Sequence, residues 1–93
     1  MTVSVRIPTQ LRNLSGGASE VPVEASTVAE ALRALDGAHP GFGERLFDDS
    51  GALRRFVNVF VADEDIRFLD GVDTRVADGQ TVSIVPAVAG GSS

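Results

Sequence analysis

Residues 27–37 read TVAEALRALDG and predict the one long amphipathic helix of the chain. Thr27 followed three residues later by Glu30 is a capping-box pattern, which marks the start of a helix. The next apolar residues recur at helical spacing and form a single stripe: Val28, Ala31, Leu32 and Leu35. Gly37 is predicted to end the helix, because glycine commonly follows the last helical turn. A helix with one apolar stripe needs one apolar surface to pack against.

Alternation of apolar and polar residues on both sides of this helix predicts the strands that provide that surface. Pro22 lies inside the second strand and is typical of an edge strand, where its missing N–H faces solvent. The predicted strands span residues 2–7, 20–25, 56–61, 66–68 and 81–86. Between them we expect a loop over residues 38–52 with one helical turn near residues 44–47, and a turn over residues 62–65.

The resulting order of elements, β-β-α-short helix-β-β-β, predicts an α+β fold in which one main helix covers one face of a mixed sheet. The first and last strands lie at opposite ends of the sequence, and pairing them in parallel at the centre of the sheet closes the layer compactly. This is the β-grasp, or ubiquitin-like, arrangement. Residues 1–86 are therefore predicted to form the β-grasp domain, and residues 87–93 a flexible C-terminal tail that contains a diglycine.

The side chains that the chain lacks exclude several kinds of chemistry. Its 93 residues include no Cys, and all 8 basic residues are Arg, so there is no Lys. These absences exclude a disulfide framework, a Cys-based zinc site, a cysteine nucleophile and a Schiff-base lysine. The single histidine, His39, argues against a Ser-His-Asp triad or a multi-histidine metal site. We therefore expect a protein that is not itself an enzyme, with no bound metal or cofactor.

The formal net charge of −5 argues against nucleic acid and anionic membranes as partners. Both require a basic patch, and Arg54-Arg55 is too short a basic run to provide one. The acidic turn Asp63-Glu64-Asp65 lacks the ligand spacing and the glycine of an EF-hand loop, so we expect it to be solvated. The sequence contains no recognisable signal peptide or apolar membrane span, and we expect a cytoplasmic protein.

The last seven residues, AVAGGSS, contain the most unusual feature of the sequence. Gly90 and Gly91 have no Cβ atoms, so their backbone can lie in a narrow tunnel and approach a nucleotide or a catalytic group closely. A terminal glycine carboxylate is also unhindered for acyl transfer. The alternative interpretation is a frayed chain end with the composition of a linker.

Two segments resemble the ubiquitin-like sulfur-carrier proteins of the ThiS/MoaD family. Residues 78–91, DGQTVSIVPAVAGG, resemble the end of these proteins, where a D-G turn, an alternating strand, a proline and a small-residue tail lead to Gly-Gly. Residues 55–61, RFVNVFV, followed by residues 63–68, DEDIRF, look most like the branch that carries sulfur for cysteine biosynthesis in actinobacteria. The resemblance covers nearly the whole chain.

The resemblance implies a carrier whose reactive group is the C-terminal carboxylate of Gly91. A ubiquitin-activating-like enzyme, acting as adenylyltransferase and sulfurtransferase, would use ATP to adenylate it, and a sulfur donor would convert it to a thiocarboxylate. A sulfur-accepting synthase would then receive the sulfur. Ser92 and Ser93 follow Gly91 here and would first have to be removed, a step for which similar proteins need a zinc-dependent JAMM-type peptidase.

Partner enzymes are predicted to dock beside the tail. Phe60 is expected on the sheet face away from the helix, and Val85 and Pro86 beside it, as three exposed apolar side chains. The predicted docking residues are Phe60, Val85, Pro86, Ala87, Val88 and Ala89.

Two other functions stay open at this stage. One is a protein modifier that is joined through Gly91 to lysines of target proteins. The other is a non-covalent β-grasp interaction module in which the tail is idle. Deleting the residues from Gly90 onwards would abolish sulfur transfer but would leave the function of an interaction module unchanged.

Overall fold

The computed structural model describes residues 1–55 and 57–86. Its strands are β1 (Thr2–Arg6), β2 (Glu20–Glu24), β3 (Val57–Val61), β4 (Glu64–Asp65) and β5 (Thr81–Pro86), and its helices are α1 (Val28–Ala38) and α2 (Phe42–Leu46). Single 3₁₀ turns cover Thr9–Leu11, Ile66–Phe68 and Gly71–Asp73. The predicted tail, residues 87–93, lies outside the described residues, as does Phe56.

The strands form one mixed sheet in the order β2-β1-β5-β3-β4. The outer pairs are antiparallel, whereas β1 and β5 are parallel, with Val5 opposite Val82. The predicted mixed sheet with a central parallel pair of terminal strands is therefore confirmed. Helix α1 lies on one face of this sheet and contacts β1 and β2.

The core lies between this sheet face and the two helices. The predicted stripe of α1 is confirmed, because all four of its residues are buried: Val28, Ala31, Leu32 and Leu35. Burying each of the valine and leucine side chains stabilises the fold by about 1.5–3 kcal/mol. Phe42 of α2 is fully buried as well, and the carboxylate of Asp36 fixes the start of that helix by accepting the N–H of Gly43 at 2.8 Å.

The start of α1 follows the capping-box prediction with one difference. Thr27 Oγ1 accepts the N–H of Glu30 at 3.2 Å, but the Glu30 carboxylate accepts the N–H and the hydroxyl of Ser26, each at 2.8 Å. These hydrogen bonds, from the backbone first and the hydroxyl second, hold the pKa of Glu30 below its ordinary value. The charged carboxylate also lies near the positive end of the helix dipole.

The predicted end of α1 at Gly37 is wrong. The helix continues through Gly37 to Ala38, and the N–H of His39 donates to the carbonyl of Leu35 at 2.8 Å. The cause is Pro40, since a proline disfavours helical backbone in the residue before it. His39 accordingly adopts φ −135° and ψ 86°.

The predicted strand over residues 66–68 is also wrong. The turn after β3 contains only Ala62 and Asp63, both with positive φ (51° and 71°) as tight hairpins require, so Glu64 and Asp65 already pair with β3. The side chain of Asp65 then accepts the N–H of Arg67 at 2.9 Å. This cap starts a 3₁₀ turn and takes the chain out of the sheet.

The turn that precedes β5 is held by the first strand. Gly79 adopts φ +85°, a conformation that favours glycine. Its N–H donates to the carbonyl of Thr2 at 2.8 Å, and the carboxylate of Asp78 accepts the N–H of Thr2 at 2.9 Å. These contacts fix where β5 begins and therefore where its C-terminal end lies.

Candidate functional site

The candidate site surrounds the C-terminal end of β5, from which the predicted tail continues. Pro86 is the last residue of β5 and lies opposite Val57 of β3. Because β1 runs parallel to β5, its C-terminal end lies at the same end of the sheet. All residues of the predicted tail lie outside the described residues: Ala87, Val88, Ala89, Gly90, Gly91, Ser92 and Ser93.

The outer face of the sheet carries the predicted docking residues. Phe60 is half-buried and alternates with the buried Val59 and Val61, which places it on the face away from the helix as predicted. Val85 lies on the same face, and its surface is 44% exposed. Phe60, Val85 and Pro86 were all predicted to be exposed. This is wrong for Phe60 and Pro86, which are both half-buried.

Pro86 differs from Phe60 and Val85 in its position on the strand. It follows Val82 and Ile84 in the alternation of β5, and those two residues point into the core. By this alternation Pro86 belongs to the helix side of the sheet. As the last residue of the strand, it still lines the same cleft as Phe60 and Val85.

These residues line one side of a cleft of about 490 Å³, which we call the tail-side cleft. Its apolar side contains Phe60, Val85 and Pro86, and its rim contains Arg6, Arg12 and Asp63. Arg6 faces Glu20 at 3.9 Å, and Nε of Arg12 donates to the carbonyl of Ile7 at 3.2 Å. The cleft thus presents an apolar surface with a polar, charged rim, which is the composition of a protein contact surface.

The acidic turn Asp63-Glu64-Asp65 was predicted to be solvated, but its last carboxylate is hydrogen-bonded within the protein. Asp65 bonds to the backbone and to the guanidinium of Arg67, with its Oδ2 at 3.2 Å from Nη2. The hydrogen bond from the Arg67 side chain is the main cause that lowers the pKa of Asp65.

Within residues 1–55 and 57–86, no three His, Cys, Asp or Glu side chains are placed to hold a metal ion. None of the described helices is long and apolar enough to cross a membrane.

Sequence reasoning missed one exposed aromatic side chain. Phe68 ends the 3₁₀ turn after β4, and 87% of its surface is exposed. In the sequence it looked like an ordinary strand residue, because the IRF pattern alternates. Only the hydrogen bond from the backbone N–H of Arg67 to the side chain of Asp65 indicates that the chain leaves the sheet at this point.

A five-stranded mixed sheet with a parallel central pair and one helix across it defines a β-grasp protein of the ubiquitin-like class. Residues 5–91 match the ThiS family, and the chain belongs to that family. The match ends at the second glycine of the diglycine and leaves out Ser92 and Ser93. The predicted family resemblance is thus confirmed.

Individual relatives agree with this assignment. The chain is 47% identical over 93 residues to the sulfur carrier protein CysO of Mycobacterium tuberculosis, covering 98% of this chain and 100% of that protein. It is 39% identical over 66 residues to small archaeal modifier protein 3 of Haloferax volcanii, covering 71% of each. A chain in the crystal structure of the Amycolatopsis orientalis BexX/CysO complex superimposes with a TM-score of 0.89 at 45% identity, covering 96% of this chain and 99% of that one.

Proposed function

We propose that this protein is a sulfur carrier whose working group is the C-terminal carboxylate of Gly91. The observation that supports this most directly is the 47% identity to a sulfur carrier protein over nearly the entire chain. The family match runs through Gly91, which agrees with a role for the diglycine. The described domain supplies a rigid base for the tail, because the strand that leads into it lies at the centre of the sheet.

The proposed chemistry takes place in two steps. In the first, a carboxylate oxygen of Gly91 attacks the α-phosphorus of ATP and displaces pyrophosphate, which gives an acyl-adenylate. In the second, a sulfide equivalent attacks the acyl carbon and displaces AMP, which leaves a thiocarboxylate. No electron transfer is needed, because the sulfur arrives and stays at the oxidation level of sulfide. The adenylate makes the carboxylate reactive, as in other activated acyl transfers.

In this proposal the chain is a co-substrate and its partners supply the catalysis. An adenylyltransferase and sulfurtransferase of the ubiquitin-activating class loads Gly91, and a synthase accepts the sulfur for cysteine or for another sulfur-containing metabolite. ATP is consumed by the activating enzyme and is not a cofactor of this chain. Ser92 and Ser93 must be removed before loading, because the carboxylate of Gly91 is otherwise tied up in a peptide bond; we assign this cleavage to a JAMM-type metallopeptidase in the cytoplasm.

We assign the docking of these partners to the tail-side cleft. Its apolar side adjoins the end of β5, so an enzyme that encloses the tail meets Phe60 and Val85 first. The small residues Ala87, Val88 and Ala89 then continue the contact toward the diglycine. Small side chains suit such a segment, because they allow the enzyme to surround the backbone closely.

Intact-mass spectrometry tests the proposal. A chain that ends at Gly91 is incubated with ATP, the activating enzyme and sulfide, and is expected to gain about 16 daltons as one oxygen is exchanged for sulfur. The 93-residue chain is expected to stay unchanged until Ser92 and Ser93 are removed. A chain that ends at Gly90 serves as the matched control. If the chain that ends at Gly91 gains no mass, the sulfur-carrier proposal is refuted.

A second candidate function is that of a ubiquitin-like protein modifier. The similarity to small archaeal modifier protein 3 supports it. In that case a lysine amine of a target protein would attack the acyl carbon of Gly91 and displace AMP, which forms an isopeptide bond. Because this chain has no Lys, it cannot form chains on its own lysines, and single attachments are expected. Higher-mass adducts that resist thiol reagents would support this candidate, and their absence alongside thiocarboxylate would exclude it.

A further inference from the structure

A second cleft, of about 330 Å³, opens at the edge of β3 where the chain leaves the sheet after β4. Its floor is formed by the largely buried Val57, Val59 and Ile66. Leu53 and Val72, both half-buried, form apolar sides. The volume lies at the lower end of the range of ligand pockets and accommodates one or two large apolar side chains.

Three arginines line the same cleft: Arg54, Arg55 and Arg67. Arg67 is neutralised by Asp65, at 3.2 Å. Arg54 uses Nε to donate to the carbonyl of Glu44 at 3.1 Å. Neither Arg54 nor Arg55 has a carboxylate within ion-pair distance among the described residues. In a protein of net charge −5, the described lining of this cleft thus carries two guanidinium groups without an ion pair and no carboxylate.

No described acidic residue lines this cleft. Glu44, Asp48 and Asp49 line a separate depression, which shares only Arg54 with it. Asp48 is close enough to Arg54 for the arginine to contribute to lowering its pKa, although hydrogen bonds from Ser50 and Ala52 are the larger causes. Asp70 and Asp73 flank Gly71 and Val72 in the sequence and are exposed. Arg55 is itself exposed, and its planar fork of donors suits a carboxylate.

The cleft also lies close to the start of the tail. Val57, which forms part of the floor, is the cross-strand neighbour of Pro86. Because Val57 and Val59 point to the helix side of the sheet, while Phe60 and Val85 point to the other side, this cleft and the tail-side cleft flank the end of β5 from opposite faces. An enzyme that encloses the tail can therefore contact both.

From this geometry we infer that the cleft at Arg54 and Arg55 is a second docking site, which binds a segment of a partner protein with a large apolar side chain next to carboxylates. The apolar side chain fills the floor of the cleft, and the carboxylates pair with the two arginines. The inference rests on the proposed function in that the partner is an enzyme that acts on the tail. Complementary charges at such a rim favour the correct partner and accelerate association.

The experiment uses short blocked peptides as probes and the 93-residue chain labelled with ¹⁵N. Acetyl-Glu-Leu-Glu-amide is titrated against the chain, with acetyl-Gln-Leu-Gln-amide and acetyl-Lys-Leu-Lys-amide as matched probes. We expect amide shifts at Leu53, Val59, Ile66 and Val72, and binding about fivefold tighter for the acidic peptide than for the neutral one. Arg55→Gln and Arg54→Gln should each reduce that preference.

Arg33→Gln is the matched control. Arg33 is exposed on α1, and its substitution removes the same charge at a position away from this cleft. The amide spectra of all three variants verify that the fold is kept. Equal binding of the acidic and neutral peptides, or shifts centred away from the cleft, would overturn the inference. Since this titration uses neither ATP nor the activating enzyme, its failure leaves the sulfur-carrier proposal untouched, and a missing mass gain leaves the cleft measurement untouched.

Discussion

Replacing Phe42 by alanine is expected to remove a large part of the stability of this domain. Among residues 1–55 and 57–86, Phe42 is the largest fully buried side chain, and it links the short helix α2 to the core. Truncating a buried phenylalanine costs about 3–5 kcal/mol, from lost transfer free energy and from the cavity that is left. Domains of this size are stable by about 5–15 kcal/mol. At about 4–8 °C per kcal/mol, the melting temperature should fall by roughly 12–40 °C.

Phe68→Ala provides the internal comparison, because it deletes the same atoms at a position that is 87% exposed. Its free energy of unfolding should change by less than about 0.5 kcal/mol. Both variants are followed by circular dichroism in guanidinium chloride, since the chain contains neither Trp nor Tyr as a fluorescence probe. If Phe68→Ala costs as much as Phe42→Ala, then the 3₁₀ turn after β4 is packed into the core and the fold described above is wrong there.

Three further changes test other parts of the molecule. Phe60→Glu should keep the fold, as its amide spectrum would verify, and slow thiocarboxylate formation by the activating enzyme; an unchanged rate would remove the tail-side cleft from the proposal. Asp36→Ala removes the acceptor for the N–H of Gly43 and should lower the free energy of unfolding by about 0.5–2 kcal/mol, which denaturant titration measures. Hydrogen bonds from Arg67 depress the pKa of Asp65 when folded, so its contribution to stability is complete above the unfolded pKa and disappears as pH falls through the folded pKa. Asp65→Asn should therefore flatten the loss of stability as the pH falls below about 4; an unaltered profile would contradict this.

The sequence predicted the helix and the main strands because their apolar residues repeat with the period of the element. The stripe of α1 and the alternation of β3 are long enough for burial to dominate over local effects. The errors lie where one contact competes with the pattern. Pro40, rather than Gly37, ends α1, and a hydrogen bond from the backbone of Arg67 to Asp65 takes the IRF segment out of the sheet.

The candidate site was only partly predictable for a different reason. The diglycine is visible in the sequence, and the face that carries Phe60 follows from the alternation of β3. The tail-side cleft combines residues from β1, β3, β5 and the turn at Arg12, so it exists only once the strands are ordered. The cleft at Arg54 and Arg55 likewise forms only because β4 ends after two residues, and no periodicity in the sequence indicates that end.

The parallel pairing of β1 with β5 has a consequence for synthesis on the ribosome. The strand that leads into the tail fills the centre of the sheet, between β1 and β3, and its starting turn is bonded to Thr2. Pairing between such distant parts of the sequence is slow, because the entropy of closing the long loop opposes it. A nascent or truncated chain that lacks β5 has a gap in the middle of its sheet and cannot close its core. Partner enzymes that recognise both faces around β5 would thereby distinguish finished molecules from fragments before any ATP is spent on the chain end.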